Sequence, residues 1–237
     1  MARNNWFEFK QFRIEQQKAA MKVGTDGVLL GAWTPVVDNQ RILDVGTGTG
    51  LVALMLAQRS EAIIDAVEID ALACEEAKYN FDHSPWSNRL KVFNMDFQVF
   101  ANLPFEPYDL IISNPPFFVN SLKTKNAATS VARHDEMLSF EQLITASGRL
   151  LSITGRFCVI IPFASCIDFR ESARLAGFYL RHETQVIPKF GRAPKRVLLE
   201  FTVQPGYPIN NELVILDKDG NYTGDYKTLT ASYYPAF

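Results

Sequence analysis

The chain has 237 residues, 47% of them hydrophobic, with a formal net charge of −2 and three cysteines. That length suits one large domain, and that apolar share excludes a chain disordered by composition. The slight acidity excludes a protein that grips nucleic acid through bulk charge, while leaving a local basic patch open.

Apolar residues at every second place from Phe7 to Ile14 predict a short strand or hairpin at the start. Met21 to Trp33 follows, where Thr25 or Asp26 is suited to capping a helix that ends before Pro35. From Arg41 a strand, turn and helix pattern repeats. Strands are expected over 41–45, 63–69, 90–94, 108–113 and 156–161, and helices over 51–59, 71–81, 140–151 and 168–176. Two further strands, 179–187 and 196–204, have no helix between them and read as an antiparallel hairpin at one edge. Alternation of this kind predicts an α/β fold: a Rossmann-like, doubly wound, mostly parallel sheet covered on both faces. Asp217-Lys218-Asp219-Gly220-Asn221 marks a turn in the tail. Cys74, Cys158 and Cys166 share no metal-ligand or redox spacing and sit in apolar contexts, so buried thiols in a reducing compartment are expected. No apolar run approaches membrane-spanning length, and Met1 to Asn5 does not lead into a signal peptide, so the expected location is the cytoplasm.

Two turns carry chemistry. The first, Asp44-Val45-Gly46-Thr47-Gly48-Thr49-Gly50, ends the first strand of the repeating unit. Glycines there let backbone approach a ligand and aim a helix N-terminus at it. The spacing G-x-G-x-G misses the dinucleotide fingerprint by one residue. Asp44 at its front would repel a pyrophosphate and favour the ammonium and sulfonium of S-adenosylmethionine. Glu68, at the end of the next strand, is placed to accept both ribose hydroxyls of a nucleoside, and Asp96, after the third, to accept from an adenine amine. The bland alternative is a tight strand-to-helix connection with no ligand.

The second turn is Asn114-Pro115-Pro116-Phe117, after the apolar run Leu110-Ile111-Ile112. An exocyclic amine is a poor nucleophile because its lone pair is delocalised into the ring. The Asn114 side-chain carbonyl and the Pro115 backbone carbonyl can each accept one of its hydrogens, which aims the lone pair and stabilises charge developing on nitrogen. The prolines stiffen the turn and add no competing donor, and Phe117 offers a face for stacking. A sulfonium methyl is already activated, so neither a metal nor a covalent nucleophile is expected. The alternative is a proline-rich loop that merely ends a strand. A basic stretch, Lys189-Phe190-Gly191-Arg192-Ala193-Pro194-Lys195-Arg196, contains no acid and is the candidate nucleic-acid contact at Lys189, Arg192, Lys195 and Arg196, with Lys123, Lys125 and Arg133 as further candidates. It reads equally as a solvated hairpin turn, and His134 equally as a surface residue or a substrate contact.

Three stretches, Met21 to Trp33, Arg41 to Gly50 and Ser113 to Phe118, resemble the bacterial tRNA(Val) adenine-N(6) methyltransferase family within the class I S-adenosylmethionine-dependent methyltransferases. The resemblance covers nearly the whole chain. It implies a seven-stranded sheet and transfer of one methyl group to the exocyclic amine of the adenosine just 3′ of the valine tRNA anticodon. It further implies that Asp44, Gly46, Gly48, Glu68 and Asp96 hold the cofactor, with Gly50 and Ile69 beside them. Lys22 and Thr25 would lie near its methionine end, and Asn114 to Phe117 would hold the target adenine. The chain is then expected to be one methyltransferase domain, with an N-terminal extension over 1–36 packed on the cofactor site and a C-terminal extension over 206–237. Rival readings stay open at this stage. They are a release-factor glutamine methyltransferase, a guanine-N(2) ribosomal RNA or adenine DNA methyltransferase, a nicotinamide oxidoreductase, and a non-catalytic RNA-binding module.

Overall fold

A computed structural model describes residues 4–38, 40–116 and 138–236 of the chain. The alternating pattern produces β3 (Arg41–Val45), α2 (Leu51–Ala57), β4 (Ile63–Glu68), α3 (Ala71–Asp82), β5 (Leu90–Asn94), α4 (Phe97–Phe100) and β6 (Tyr108–Ser113). After residue 138 come α5 (Phe140–Leu150), β7 (Leu151–Pro162), α6 (Cys166–Leu175), β8 (Tyr179–Lys189), β9 (Arg196–Thr202), β10 (Ile209–Leu216) and α7 (Gly224–Thr230). Ahead of them, β1 (Trp6–Glu8) and β2 (Arg13–Glu15) pair as the expected antiparallel hairpin, followed by α1 (Thr25–Trp33).

One sheet holds eight strands in the order β10-β8-β9-β7-β6-β3-β4-β5. The pairs β3–β4, β3–β6, β4–β5 and β6–β7 are parallel, and β9 runs antiparallel to both β7 and β8. The seven strands expected are all present. The eighth, β10, lies parallel to β8 from Ile209 opposite His182 to Leu216 opposite Lys189, so the hairpin does not form the sheet edge. Its first half, Ile209-Asn210-Asn211-Glu212, is exposed and mostly polar, which hides it as a strand.

Side-chain alternation splits the core into two layers. Ile42, Ile64, Leu110, Ile112 and Leu198 face α1 and α2, while Leu43, Val67, Ile111, Phe157 and Leu199 face α4, α5 and α6. All seven residues of α2 are buried, so it shows no polar stripe. The cap of α1 differs from expectation: Gly24 is the N-cap, without a side-chain hydrogen bond. Asp26 lies inside the first turn, where its carboxylate accepts from Arg196 Nε at 2.8 Å. All three cysteines are buried. No helix among the described residues is long and apolar enough to cross a membrane.

The order of strands places the chemistry. From β3 the chain steps outward to β4 and β5, then returns to lay β6 on the other side of β3. The carboxyl ends of β3 and β6 therefore flank the point where strand order reverses, where open α/β sheets leave a crevice.

Candidate active site

The β3–α2 turn is held open by three glycines in the left-handed region, with φ of 70° at Gly46, 57° at Gly48 and 82° at Gly50. They do different work. A Cβ added at Gly46 or Gly48 would meet nothing within 4 Å, so both face open space. A Cβ at Gly50 would lie 2.5 Å from the Phe81 ring, so Gly50 lets α2 pack on α3. Asp44 is buried beneath the turn: its Oδ2 accepts from Thr47 Oγ1 at 2.6 Å and from the Ala53 amide at 3.2 Å. Burial raises its carboxyl to about 7, against the pull of those two hydrogen bonds. Asp44 thus pegs the turn from below.

Glu68 closes β4. Its Oε2 accepts from the Gly48 amide at 2.8 Å and its Oε1 from the Asp70 amide at 3.0 Å, which ties it to the glycine turn. An ionised carboxylate has about four acceptor positions, so two remain for a ligand's hydroxyls. Asp96 caps α4, with Oδ1 accepting from the amides of Gln98 and Val99. At the end of β6, Ser113 Oγ donates to the Val45 carbonyl at 2.8 Å and locks that strand to β3. Next to it, Asn114 Oδ1 is buried and has no hydrogen-bond partner among the described residues. Buried amide oxygens are nearly always satisfied, so an orphan at this position is an acceptor in want of a donor.

These groups meet in one cavity of about 230 Å³. Gly46, Gly48, Glu68, Ile69, Asp96, Asn114, Pro115 and Pro116 line it. Four other candidates do not. Asp44 lies beneath the turn, and Gly50 packs on Phe81. Lys22 turns its Nζ to the Asn4 carbonyl at 3.3 Å, and Thr25 opens α1. Phe117, Lys123, Lys125, Arg133 and His134 lie outside the described residues. Sequence reasoning expected the 1–36 segment at this site but did not single out Ala19, Ala20 and Met21, and it missed the apolar Met95, Phe97 and Leu138. Met95 and Phe97 flank Asp96, so an apolar slot around that acid was available from the sequence. Nothing in the pattern singles out the two alanines.

Because β9 is antiparallel to β7, with Arg196 opposite Pro162, the β8–β9 turn emerges at the same end of the sheet as Asn114. Three strand spacings separate β6 from β8, about 14 Å. Arg192 and Lys195 are exposed and Lys189 partly so. Arg196 is half-buried and salt-bridged to Asp26, so it differs from its three basic neighbours. Phe190 stands among them, 67% exposed.

This sheet order, with a glycine turn and an Asn-Pro-Pro turn facing each other across the reversal point, defines a class I S-adenosylmethionine-dependent methyltransferase. The model of the methyltransferase small domain family matches residues 22–163. The structure is similar to a predicted O-methyltransferase from Agrobacterium tumefaciens (TM-score 0.70, 19% identity, covering 88% of this chain and 96% of that one). It is also similar to TrmN from Thermus thermophilus (TM-score 0.52, 18% identity, covering 74% and 47%). The chain is 45% identical over 230 residues to a Bacteroides fragilis tRNA1(Val) (adenine(37)-N6)-methyltransferase, covering 97% of each. It is 42% identical over 234 residues to the protein of the same name from Cronobacter sakazakii, covering 98% of this chain and 96% of that one. The chain belongs to the tRNA1(Val) (adenine(37)-N6)-methyltransferase family.

Proposed function

We propose that this protein transfers the methyl group of S-adenosylmethionine to the exocyclic N(6) of adenosine 37, immediately 3′ of the anticodon, in tRNA(Val). The observation that carries the chemistry is the unpartnered Oδ1 of Asn114, a residue of the cavity wall. The residues present fit the donor. Glu68 and Asp96 offer carboxylate oxygens for ribose hydroxyls and an adenine amine. Gly46 and Gly48 present backbone with open space before it. When bound, the donor supplies a methyl group already activated on a sulfonium.

The chain's own part is to hold and aim the acceptor. Asn114 Oδ1 and the Pro115 carbonyl each take one hydrogen of the amine, pointing its lone pair into the cavity and stabilising positive charge as it develops. Pro115 and Pro116 have no N–H to compete for those oxygens. Phe117 supplies the face on which the adenine stacks. An anticodon loop is single-stranded, so its bases are extruded at lower cost than those of a duplex. Lys189, Arg192 and Lys195 meet its phosphates at the shared end of the sheet, with Phe190 beside a flanking base. The chain acts as one methyltransferase domain with terminal extensions over 1–36 and 206–237, and its buried thiols suit the cytoplasm.

The test is incubation with methyl-labelled donor and, separately, total tRNA, ribosomal RNA, DNA and release factor, followed by nucleoside mapping. Label in N(6)-methyladenosine at position 37 of tRNA(Val) is the expected result. Label in a glutamine or a guanine would replace the acceptor assignment.

A further inference from the structure

The stretch from Gln16 to Val23 has no regular secondary structure, yet it contributes Ala19, Ala20 and Met21 to the cavity wall. Side chains hold it. Gln16, only 6% exposed, closes the two ends: its Oε1 accepts from the Val23 amide at 2.8 Å and its Nε2 donates to the Asn4 carbonyl at 3.1 Å. Glu76 of α3, 4% exposed, holds the middle. Its Oε1 accepts from the amides of Gln17 at 2.5 Å and Lys18 at 2.9 Å, and its Oε2 from that of Ala19 at 2.8 Å. One turn further along α3, Asn80 accepts from the Glu15 amide at 2.9 Å. Its Nδ2 donates to the Glu15 carbonyl at 3.0 Å and the Thr49 carbonyl at 2.9 Å.

Thr49 belongs to the glycine turn. One helix therefore ties together two walls of a single cavity, the irregular loop through Glu76 and the glycine turn through Asn80. The dependence is mutual. A buried carboxylate is tolerated only when it is hydrogen-bonded, and the amides of Gln17 to Ala19 have no helix or strand to satisfy them. The three successive N–H groups on one carboxylate set where Ala19 and the two residues after it lie. We propose that Glu76, assisted by Asn80, is a positioning residue for the methyl donor: it docks the 16–23 loop as a wall of the donor cavity, so that loop docking and donor binding form one linked equilibrium. Linkage requires each event to favour the other by the same factor.

The inference rests on the cavity being the donor site and is independent of the acceptor, so the two readouts that decide it, donor-product affinity and hydrogen exchange, contain no RNA. S-adenosylhomocysteine binding is measured by titration calorimetry on the native protein and on Glu76→Ala, Asn80→Ala and Glu76→Gln. Weakening by about tenfold or more is expected for Glu76→Ala, equivalent to about 1.4 kcal/mol. Asn80→Ala should weaken binding in the same direction. Glu76→Gln keeps one acceptor oxygen for Gln17 and Lys18 and loses the one for Ala19, so it should fall between native and alanine. With saturating donor, the turnover number of Glu76→Ala should recover to within about twofold of native, because its failure is one of binding. A second measurement needs no variant: bound S-adenosylhomocysteine should slow hydrogen exchange at the amides of Gln17, Lys18 and Ala19 in the native protein. Native affinity in Glu76→Ala, or exchange at those amides that ignores the ligand, overturns the proposal. A native protein that binds no S-adenosylhomocysteine overturns the donor reading beneath it.

Discussion

Replacing Asn114 with alanine should separate chemistry from folding, with opposite signs for the two. The side-chain oxygen is one of two acceptors assigned to the amine, and loss of one preorganised partner of this kind costs about 10²–10³ in rate, or about 2.7–4 kcal/mol. Stability should not fall with it. Among the described residues Oδ1 has no hydrogen-bond partner, so truncation removes a desolvated oxygen to which none of them donates. A buried unsatisfied polar atom costs about 1–3 kcal/mol, and the space it leaves opens into a cavity already present. For a chain of this size each kcal/mol shifts the midpoint by about 2–4 °C, so Tm should stay level or rise by a few degrees. Single-turnover transfer of a labelled methyl group, calorimetric Tm and donor-product titration together read the three quantities. Affinity for S-adenosylhomocysteine should move little. Asn114→Asp, which keeps an acceptor, should retain more activity than the alanine variant. A transfer rate within tenfold of native, or a Tm several degrees lower, would refute the role of this oxygen.

Gly50→Ala should destabilise by about 2–4 kcal/mol, because alanine resists a positive φ and its Cβ meets the Phe81 ring. Gly48→Ala, strained but not obstructed, should cost less by urea denaturation; equal costs would erase the distinction between the two glycines. Asp44 titrates near 7 in the folded chain because it is buried, well above its unfolded value. The folded state therefore binds the extra proton between those values, and the contribution of Asp44, full below about pH 4, is lost as pH rises through about 7. Asp44→Asn should remove a component of about 3 kcal/mol from the fall in stability between pH 4.5 and 8, at 1.36 kcal/mol per pH unit; identical pH dependence in both proteins would contradict it. Neutralising Lys189, Arg192 and Lys195 together should lower the slope of log affinity against log salt by about 2, at 0.7 per single-strand phosphate contact. An unchanged slope in fluorescence anisotropy would remove this turn from the RNA surface.

The parallel heart of the sheet was legible because strands buried on both faces read as nearly unbroken apolar runs, as in Arg41–Val45 and Tyr108–Ser113. The cavity's wall was legible where a turn of unusual composition ends a buried strand, as at Asn114-Pro115-Pro116. Elsewhere the pattern was silent for identifiable reasons. Strand β10 is half solvent-facing, so half of it resembles a loop. The three glycines look equivalent in spacing, and only packing against Phe81 sets Gly50 apart. Glu76 sits in a helix among charged neighbours and reads as a solvated acid; its burial comes from a loop nearly sixty residues earlier in sequence. Likewise Arg196 belongs to a basic run, but its partner Asp26 is 170 positions away.

The reversal of β9 against β7 brings the β8–β9 turn to the catalytic rim while rooting it in strands that take no part in holding the donor. Its length and charge are thereby free to change without disturbing the glycine turn, Glu68 or Asp96. A lineage could retarget its acceptor by editing the six residues 190–195 and leave the donor cavity untouched, which makes this short reversal the natural place to graft a new recognition preference.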